Sequence, residues 1–288
     1  MRTFDHFVAI DWSGAKGERQ KGIALAHAEK GNRTPALLTP GGGWSRAMIL
    51  DWLRNHAEAR TNMIIGLDLS PAFPFEDRGA YFPGWSESPP DARSLWSLVD
   101  NICSDDPHLG ANAFVSHVEA RRHFRHQDFC GDLFEPGAGR MRRAERGQKA
   151  QRLSPYSCFN LVGAAQVGKS SLTGMRVLNR LGDRISFWPF NPVPVDGPLL
   201  VEIYTAIPAR EAGVEKGSKI RDGATLDRAL ARLETEPHRG LARYDDHATD
   251  AILTAAWLRR AANRPELWSP KGLTPELART EGWTFGVA

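Results

Sequence analysis

Carboxylic acids stand at or near the ends of short apolar runs in this 288-residue chain. The run VAID ends at Asp11, and the run MIIGLD ends at Asp68. A third run, LLVEIY, carries Glu202 within it. An acid beside a buried strand is costly unless it binds a metal or a substrate. These positions are therefore the first candidates for chemistry.

A C-terminal helix pattern adds two further acids. In YDDHATDAILTAAWLRR, Asp246 and Asp250 are four residues apart, so their side chains lie on one face of the predicted helix. His247 precedes Asp250 by three residues and can share that face. Because ligands bind where parallel strands end, we expect Asp11 and Asp68 to face the same crevice.

This set of acids predicts a metal site. Mg²⁺ takes hard oxygen ligands in proteins, and a pair of divalent ions can hydrolyse a phosphodiester by activating a water and stabilising the leaving oxygen. We therefore expect Mg²⁺ or Mn²⁺ as cofactor. The predicted catalytic residues are Asp11, Asp68, Asp246 and Asp250. The predicted metal ligands are Asp11, Asp68, Asp250 and, as a weaker candidate, Glu202.

Each acid also has a purely structural explanation. Asp11 could begin a turn, because Asp-x-Ser-Gly suits turn geometry. Asp245 and Asp246 could be N-terminal helix acids that the helix dipole favours. Glu202, inside a strand, could pair with an arginine such as Arg210. We favour the joint site because several independent coincidences would be needed to replace it.

The composition places the chain among ordinary globular proteins. Its 41% hydrophobic and 25% charged residues are typical of that class. No apolar run approaches the roughly 20 residues that a membrane span needs, so we expect no membrane partner. The N-terminal MRTFDHF lacks a secretory apolar region, which favours the cytoplasm. The three cysteines are too widely spaced to predict a disulfide framework or a zinc site.

Positive charge is concentrated in one stretch, although the net charge is only +3. Residues 140–152 read RMRRAERGQKAQR, which suits either contact with phosphates or a solvated surface. The first interpretation makes nucleic acid the expected partner and leaves open DNA or RNA and the oligomeric state. The predicted substrate-binding residues are Lys169, Arg140, Arg142, Arg143, Arg146 and Lys149.

Alternating strand and helix patterns predict an α/β fold, a mixed sheet with helices packed on it. Strand patterns cover residues 7–11, 22–27, 36–39, 63–67, 185–190 and 199–206. Helical patterns follow Ser45 and cover 170–181, 225–234 and 247–262. Residues 71–115 are rich in Pro, Gly, Ser and Asp and predict a long loop or lid. Together with the partly helical, basic residues 116–152, they form a predicted insertion, 71–152, within one domain, 1–288.

A second motif competes with the acids. Gly163 to Ser170 reads GAAQVGKS and fits G-x-x-x-x-G-K-[ST], in which backbone amides cradle phosphates and Lys169 reaches them. The preceding apolar segment, 159–162, is short and broken by Asn160, and no later run offers a good aspartate for the magnesium ion. An NTP-binding enzyme therefore stays an alternative.

The chain resembles the predicted RNase H-like nucleases, a family described as a domain of unknown function. The resemblance lies in VAIDWSG, IIGLDLSP, VGAAQVGKSSLTGM, LLVEIYTA, DDHATDAILTAAWLRR and EGWTFGV, which in this order span residues 7–287 apart from 73–115. VAIDWSG followed by GIALA is also similar to the opening hairpin of Holliday-junction resolvases, and HATDAILTAA to the helix that bears their last acids.

The resemblance implies an RNase H-like domain with a mixed five-stranded sheet flanked by helices. It implies that Asp11 lies on the central strand, Asp68 on the neighbouring strand and Asp250 on the last helix. We therefore predict a metal-dependent nuclease that hydrolyses phosphodiesters with carboxylate-bound Mg²⁺ or Mn²⁺. The alternatives are an NTP-binding enzyme that uses Gly163 to Ser170 and a non-catalytic nucleic-acid-binding protein of the same fold.

Overall fold

A mixed β-sheet organises the computed structural model, which describes residues 2–162 and 167–288. The strands of these residues are β1 (His6–Asp11), β2 (Ala24–Glu29), β3 (Ala36–Leu38), β4 (Met63–Asp68), β5 (Arg125–His126), β6 (Phe129–Cys130), β7 (Ser186–Trp188) and β8 (Leu199–Glu202). Six of them form one sheet in the order β3–β2–β1–β4–β8–β7, and β5 pairs with β6 separately. The predicted α/β class with a mixed sheet is confirmed.

The register of the sheet brings the acids together. β1 runs antiparallel to β2 and parallel to β4, and Asp11 is the direct partner of Asp68. β8 runs parallel to β4 and ends with Glu202 opposite Leu67. Because neighbouring strands lie about 4.8 Å apart, the two aspartates start from adjacent backbone positions at one edge of the sheet.

Helices cover both faces of the sheet. They are α1 (Arg46–Glu58), α2 (Ala92–Ile102), α3 (Asn112–Ser116), α4 (Arg143–Ala150), α5 (Val167–Leu181), α6 (Ala206–Glu211), α7 (Gly223–Arg232), α8 (Asp246–Ala261), α9 (Pro265–Trp268) and α10 (Pro275–Thr280). In β1, Val8 and Ile10 join the core that contains α1, α2 and α5, whereas Phe7 and Ala9 join the core that contains α8. This is why β1 reads as a continuous apolar run.

The close approach of α8 to the sheet depends on a glycine in β4. A Cβ atom on Gly66 would lie 2.7 Å from Ile203 Cγ2 and 3.0 Å from Leu258 Cδ1, where ordinary packing leaves no room for it. Leu258 belongs to α8, so this small residue lets the helix settle onto β4. That position carries the acids of α8 toward the edge where β1 and β4 end.

Two expectations about the elements are wrong. The sheet has six strands, not five, because the short β7 pairs in parallel with β8. Residues 71–115 are not all loop, since they contain α2, where Asp91 accepts a hydrogen bond from the Ser94 amide at 2.9 Å. Leu95, Trp96 and Val99 are buried at helical spacing there. The helical pattern around Trp96 lies within a segment whose many prolines and glycines predict a loop.

The helical pattern predicted after Ser45 is confirmed as α1, and Ser45 Oγ caps this helix by accepting a hydrogen bond from the Met48 amide at 3.1 Å. The last predicted strand is shorter than its apolar run. β8 ends at Glu202, and Ala206 already begins α6. This early end leaves Glu202 at the strand terminus rather than inside it.

A buried ion pair ties α4 to β8. The Arg142 side chain is fully buried, and its Nη1 donates to Glu202 Oε2 at 2.9 Å while Nη2 donates to Oε1 at 2.5 Å. Its Nε donates to Glu145 Oε1 at 2.7 Å. Thr284 Oγ1 also donates to Glu202, at 2.6 Å, which draws the C-terminal segment into the same network. Both oxygens of Glu202 are thus occupied by protein groups.

Replacing Arg142 tests this network. Arg142→Met should lower the free energy of unfolding by about 3–5 kcal/mol, because two buried carboxylates lose their cation. Arg143→Met is the matched control, since Arg143 is the exposed next residue, at the start of α4. Urea unfolding at neutral pH measures both variants. Equal losses in the two would contradict a structural role for Arg142.

Candidate active site

Three acids from three separate elements line one cavity of about 560 Å³. Asp11 ends β1, Asp68 ends β4, and Asp250 lies on α8 one turn after its start at Asp246. Asp246, Glu202 and other groups complete the lining. The structure therefore brings together every acid that was predicted as catalytic or metal-binding, although they are up to 239 positions apart (250 − 11) in the chain.

The carboxylates destabilise one another's charged forms. Burial raises the pKa of Asp68 well above its ordinary value, and repulsion from Asp11, Asp250 and Glu202 adds to the rise. Burial raises the pKa of Asp250 to about 6, despite the opposing charge of Lys219. Burial also raises the pKa of Asp11. The ionised forms of these carboxylates are thus destabilised, which is typical of binding and catalytic sites.

His247 orients Asp11. Its Nδ1 lies 2.8 Å from Asp11 Oδ2, and this hydrogen bond raises the pKa of the imidazole. With Nδ1 as the donor, this contact engages Oδ2 of Asp11 and fixes the direction of the carboxylate. The sequence placed His247 on the same helix face as Asp250, but it did not indicate that Asp11 would be its partner.

Lys219 is the residue that sequence reasoning missed. Its Nζ lies 3.3 Å from Asp246 Oδ2 and 3.7 Å from Asp250 Oδ2. Two residues further on, Arg221 also pairs with Asp246. Ile220 between them is buried in the core beside α8, which points both cations to the same side. The only local sequence signal for these cations is that charged residues alternate with an apolar one in Lys-Ile-Arg. This pattern is too short to predict an ion pair.

The acids at the start of α8 have different roles. Asp245 Oδ1 accepts a hydrogen bond from the Ala248 amide at 3.0 Å, so its structural explanation as a helix cap is confirmed. Burial alone would raise the pKa of Asp246, but the hydrogen bond from Arg221 and the charge of Lys219 hold it below its usual value. Asp246 is therefore a neutralised acid at the rim, whereas Asp250 lies deeper in the cavity.

Glu202 lines the cavity, but its carboxylate is already hydrogen-bonded to other protein groups. Both of its oxygens accept hydrogen bonds from Arg142, and Oε1 also accepts from Thr284. The expectation that Arg210 could be its partner is wrong, because the Arg210 guanidinium donates to the Gln151 carbonyl at 2.8 Å. Glu202 adds negative potential at Asp68, but as a direct metal ligand it would have to give up its ion pair.

The basic stretch is not a continuous positive surface. Arg140 and Arg142 are buried, which corrects the expectation that both would contact substrate. Arg140 donates to the Tyr81 carbonyl at 2.7 Å and to Asp77 Oδ1 at 2.6 Å. The irregular segment after β4 has carbonyls that no strand or helix satisfies, and a guanidinium with five donors can satisfy several of them.

The other predicted substrate-binding residues of this stretch lie on α4. Arg143 and Lys149 are exposed, whereas Arg146 pairs with Glu76. Glu145 and Gln148 of the same helix line the acidic cavity. The exposed cations therefore flank the cavity rather than line it.

The glycine-rich segment has an ordinary packing role where it is described. Gly163 to Gln166 lie outside the described residues. Gly168 is inside α5, and a Cβ atom there would clash with the Cys158 carbonyl. The preceding Phe159 to Leu161 pair only with Arg125 and belong to no strand of the six-stranded sheet. The strand that a phosphate-binding loop requires is thus missing from the described residues.

The two polar residues of this motif face different spaces. Ser170 lines the acidic cavity, whereas Lys169 lines a separate pocket beside it. Trp12, which follows Asp11, is buried and donates from Nε1 to Thr173 Oγ1 at 3.1 Å. It therefore anchors the end of β1 to α5 as a core residue.

The donor chemistry suits a hard divalent cation, but the carboxylates are turned toward protein cations. Within residues 2–162 and 167–288, no group of three His, Cys, Asp or Glu side chains is arranged to hold a metal ion as it stands. Asp250 faces Lys219, and Asp11 faces His247. A divalent ion among these acids would have to displace or share both contacts.

Comparison of the chain with protein-family models, curated proteins and solved structures finds no match. No helix in the described part of the chain is both long and apolar enough to cross a membrane. The function must therefore be argued from the geometry of the site.

The raised pKa of Asp250 predicts a stability effect. In metal-free buffer the folded state binds this proton more tightly than the unfolded state, so Asp250 lowers stability as the pH rises from its ordinary value of 3.8 through about 6. Asp250→Asn should therefore be more stable than the wild type at pH 8, by about 1–3 kcal/mol, and should lose this advantage near pH 4.

Urea unfolding in EDTA at both pH values measures this effect. Glu18→Gln, which removes an exposed acid outside the cavity, is the control and should change stability little at either pH. A destabilised Asp250→Asn at pH 8 would show that the Lys219 contact outweighs the burial of the carboxylate.

Proposed function

We propose that this protein is a metal-dependent nuclease of RNase H-like fold. The observation that carries the proposal is the meeting of Asp11, Asp68 and Asp250 on one cavity, from two neighbouring parallel strands and one helix. Carboxylates with raised pKa values in a cleft are the arrangement expected of a group that binds cations or transfers protons. The proposed reaction is phosphodiester hydrolysis.

The topology supports the RNase H-like part of the proposal. β1 is bordered by the antiparallel pair β2 and β3 on one side and by the parallel strands β4 and β8 on the other. Asp11 thus lies on a central strand, Asp68 on its neighbour and Asp250 on the long helix that packs on β1. The resemblance implies the same strands for Asp11 and Asp68, whereas the last helix that it implies for Asp250 is followed here by the short α9 and α10.

The donor set supports Mg²⁺ or Mn²⁺ as the cofactor, held by Asp11, Asp68 and Asp250 with Asp246 beside them. When bound, such an ion activates a water and neutralises charge on the phosphate. His247 keeps the Asp11 carboxylate in one orientation through its 2.8 Å hydrogen bond. Lys219 supplies a positive charge at the cavity wall, where an oxygen of the phosphate can exchange places with Asp250 as its partner.

Aromatic and basic groups around the cavity favour nucleic acid as the substrate. Tyr156 lines the cavity and is 53% exposed, so its ring is free to stack on a base. Arg143 and Lys149 on the adjacent α4 are exposed and suit contact with the phosphate backbone. Neither feature reads a base edge, and the proposal is therefore a nuclease with little sequence preference.

Isosteric substitutions test the proposed catalytic acids. Asp11→Asn and Asp68→Asn should each lower Mn²⁺- or Mg²⁺-dependent cleavage at least about 100-fold, because the amide removes a charge that the ion requires. The substrate panel should include single-stranded, duplex and branched DNA and RNA. Asp51→Asn, on the exposed face of α1, is the control.

Thermal unfolding gives a second readout that does not depend on the choice of substrate. Mn²⁺ should raise the melting temperature of the wild type but not of Asp11→Asn, because only the wild type keeps the full set of ligands. No shift in the wild type would favour the non-catalytic nucleic-acid-binding alternative. Cleavage that survives both substitutions would refute the assignment of the acids.

Nucleotide calorimetry tests the remaining alternative. We expect no tight binding of ATP or GTP. Gly168 lies inside a helix against Cys158, and among the described residues no strand of the six-stranded sheet leads directly into the motif. Tight binding that disappears in Lys169→Ala would replace the nuclease proposal with an NTP-binding one. Weak binding that Asp11→Asn alters would instead place the nucleotide in the acidic cavity.

A further inference from the structure

A second pocket, of about 210 Å³, lies beside the acidic cavity and has the opposite electrostatic character. Its basic lining residues are Lys16, His126 and Lys169. Small or uncharged residues complete it: Gly14, Ala15, Ala111, Asn112, Val115, Ser116 and Thr173. No acidic side chain of the described residues lines this pocket.

The positive charges of this pocket are not neutralised by the protein. Neither Lys16 nor Lys169 takes part in a salt bridge among the described residues, although both belong to a chain with many ion pairs. Burial and the nearby Lys16 lower the pKa of Lys169. Burial and the two lysines also lower the pKa of His126. An anion bound here would relieve this repulsion.

The pocket and the cavity share a wall that is one residue thick. Lys169 lines the pocket and the next residue, Ser170, lines the cavity. Gly14 brings the chain after β1 onto the same place, because a Cβ atom there would clash with the backbone of Lys169 and Ser170. Gly14 follows Asp11 by three positions, so the loop that leaves the catalytic strand also forms the pocket.

We propose that Lys16, Lys169 and His126 form an anion subsite for a backbone phosphate of the substrate, next to the phosphate that is cleaved. This inference rests on the proposed function and deepens it, since it names the part of the molecule that holds the strand. Ammonium groups bind phosphate as point charges without regard to sequence. Asn112 and Ser116 at the pocket wall offer further hydrogen-bond donors.

The subsite also answers an electrostatic problem of the acidic cavity. The carboxylates there repel a polyanion, and the exposed cations of α4 lie outside the cavity lining. Lys16 and Lys169 lie across the shared wall from the acids, so a strand that crosses this wall is attracted next to them. The expected consequence is that the lysines contribute mainly to binding and little to the chemical step.

Binding without metal tests the subsite separately from catalysis. The protein is Asp11→Asn in EDTA, and the probe is a fluorescent single-stranded oligonucleotide, as DNA and as RNA, across a series of salt concentrations. Lys16→Ala and Lys169→Ala should each weaken binding about 5- to 10-fold. Each should also reduce the slope of log Kd against log salt by about 0.7, as expected for one lost phosphate contact to a single strand.

Lys21→Ala is the matched control, because Lys21 is an exposed lysine nearby in the chain that does not line the pocket. Thermal unfolding shows whether each variant keeps the wild-type stability. If Lys16→Ala and Lys169→Ala bind no worse than Lys21→Ala, the subsite is refuted, whatever the protein does with metal. If both lysines matter for binding but no variant of the acids changes cleavage, the subsite stands and the nuclease proposal fails.

Chemical changes in the probe locate the phosphate. A set of oligonucleotides carries one neutral methylphosphonate linkage each, at successive positions. At one position the neutral linkage should weaken binding to Asp11→Asn as much as Lys169→Ala does, and should have no further effect when combined with Lys169→Ala. Fully additive effects at every position would overturn the assignment of a single phosphate to this pocket.

Discussion

The repulsion between carboxylates that the sheet register forces together is the constraint on which the site depends. Asp11 and Asp68 are direct partners at the ends of two parallel strands, and Asp250 of α8 lines the same cavity. Burial raises all three pKa values, so the fold holds charge in a place where charge is unfavourable. A protein keeps such an arrangement when a cation or a substrate makes use of it.

The positive groups around this cluster lie at different depths in the protein. The fully buried Arg142 is the counter-ion of Glu202 and Glu145, although the charge of Glu202 still adds to the repulsion at Asp68. Lys219 and His247 line the cavity and contact Asp250 and Asp11, and Lys219 also contacts Asp246 at the rim. The innermost cation therefore serves stability, whereas the cavity cations are placed where a ligand can compete with them.

Close packing positions these acidic and basic groups. Gly66 admits α8 onto β4, and Gly14 admits the loop after β1 onto α5. A Cβ atom at Gly14 would meet the backbone of α5, whereas one at Gly66 would meet the side chains of Ile203 and of Leu258 on α8. The acidic cavity and the basic pocket lie on the two sides of the second contact. In the proposed reaction, a shared wall of this kind would keep the cleaved phosphate and its neighbour at a constant separation.

Sequence periodicity by itself determined the α/β class, the strands that end at Asp11 and Asp68, and the helix face that carries Asp246 and Asp250. These features follow from local spacing, because strands and helices repeat every two and 3.6 residues. The domain limits and the nuclease assignment stay predictions. Tertiary structure alone decided which charges pair. Arg142 pairs with Glu202, and Lys219 with Asp250, across loops whose paths no local pattern encodes. Arg140 and Arg142, which the sequence predicted to bind substrate, are instead buried.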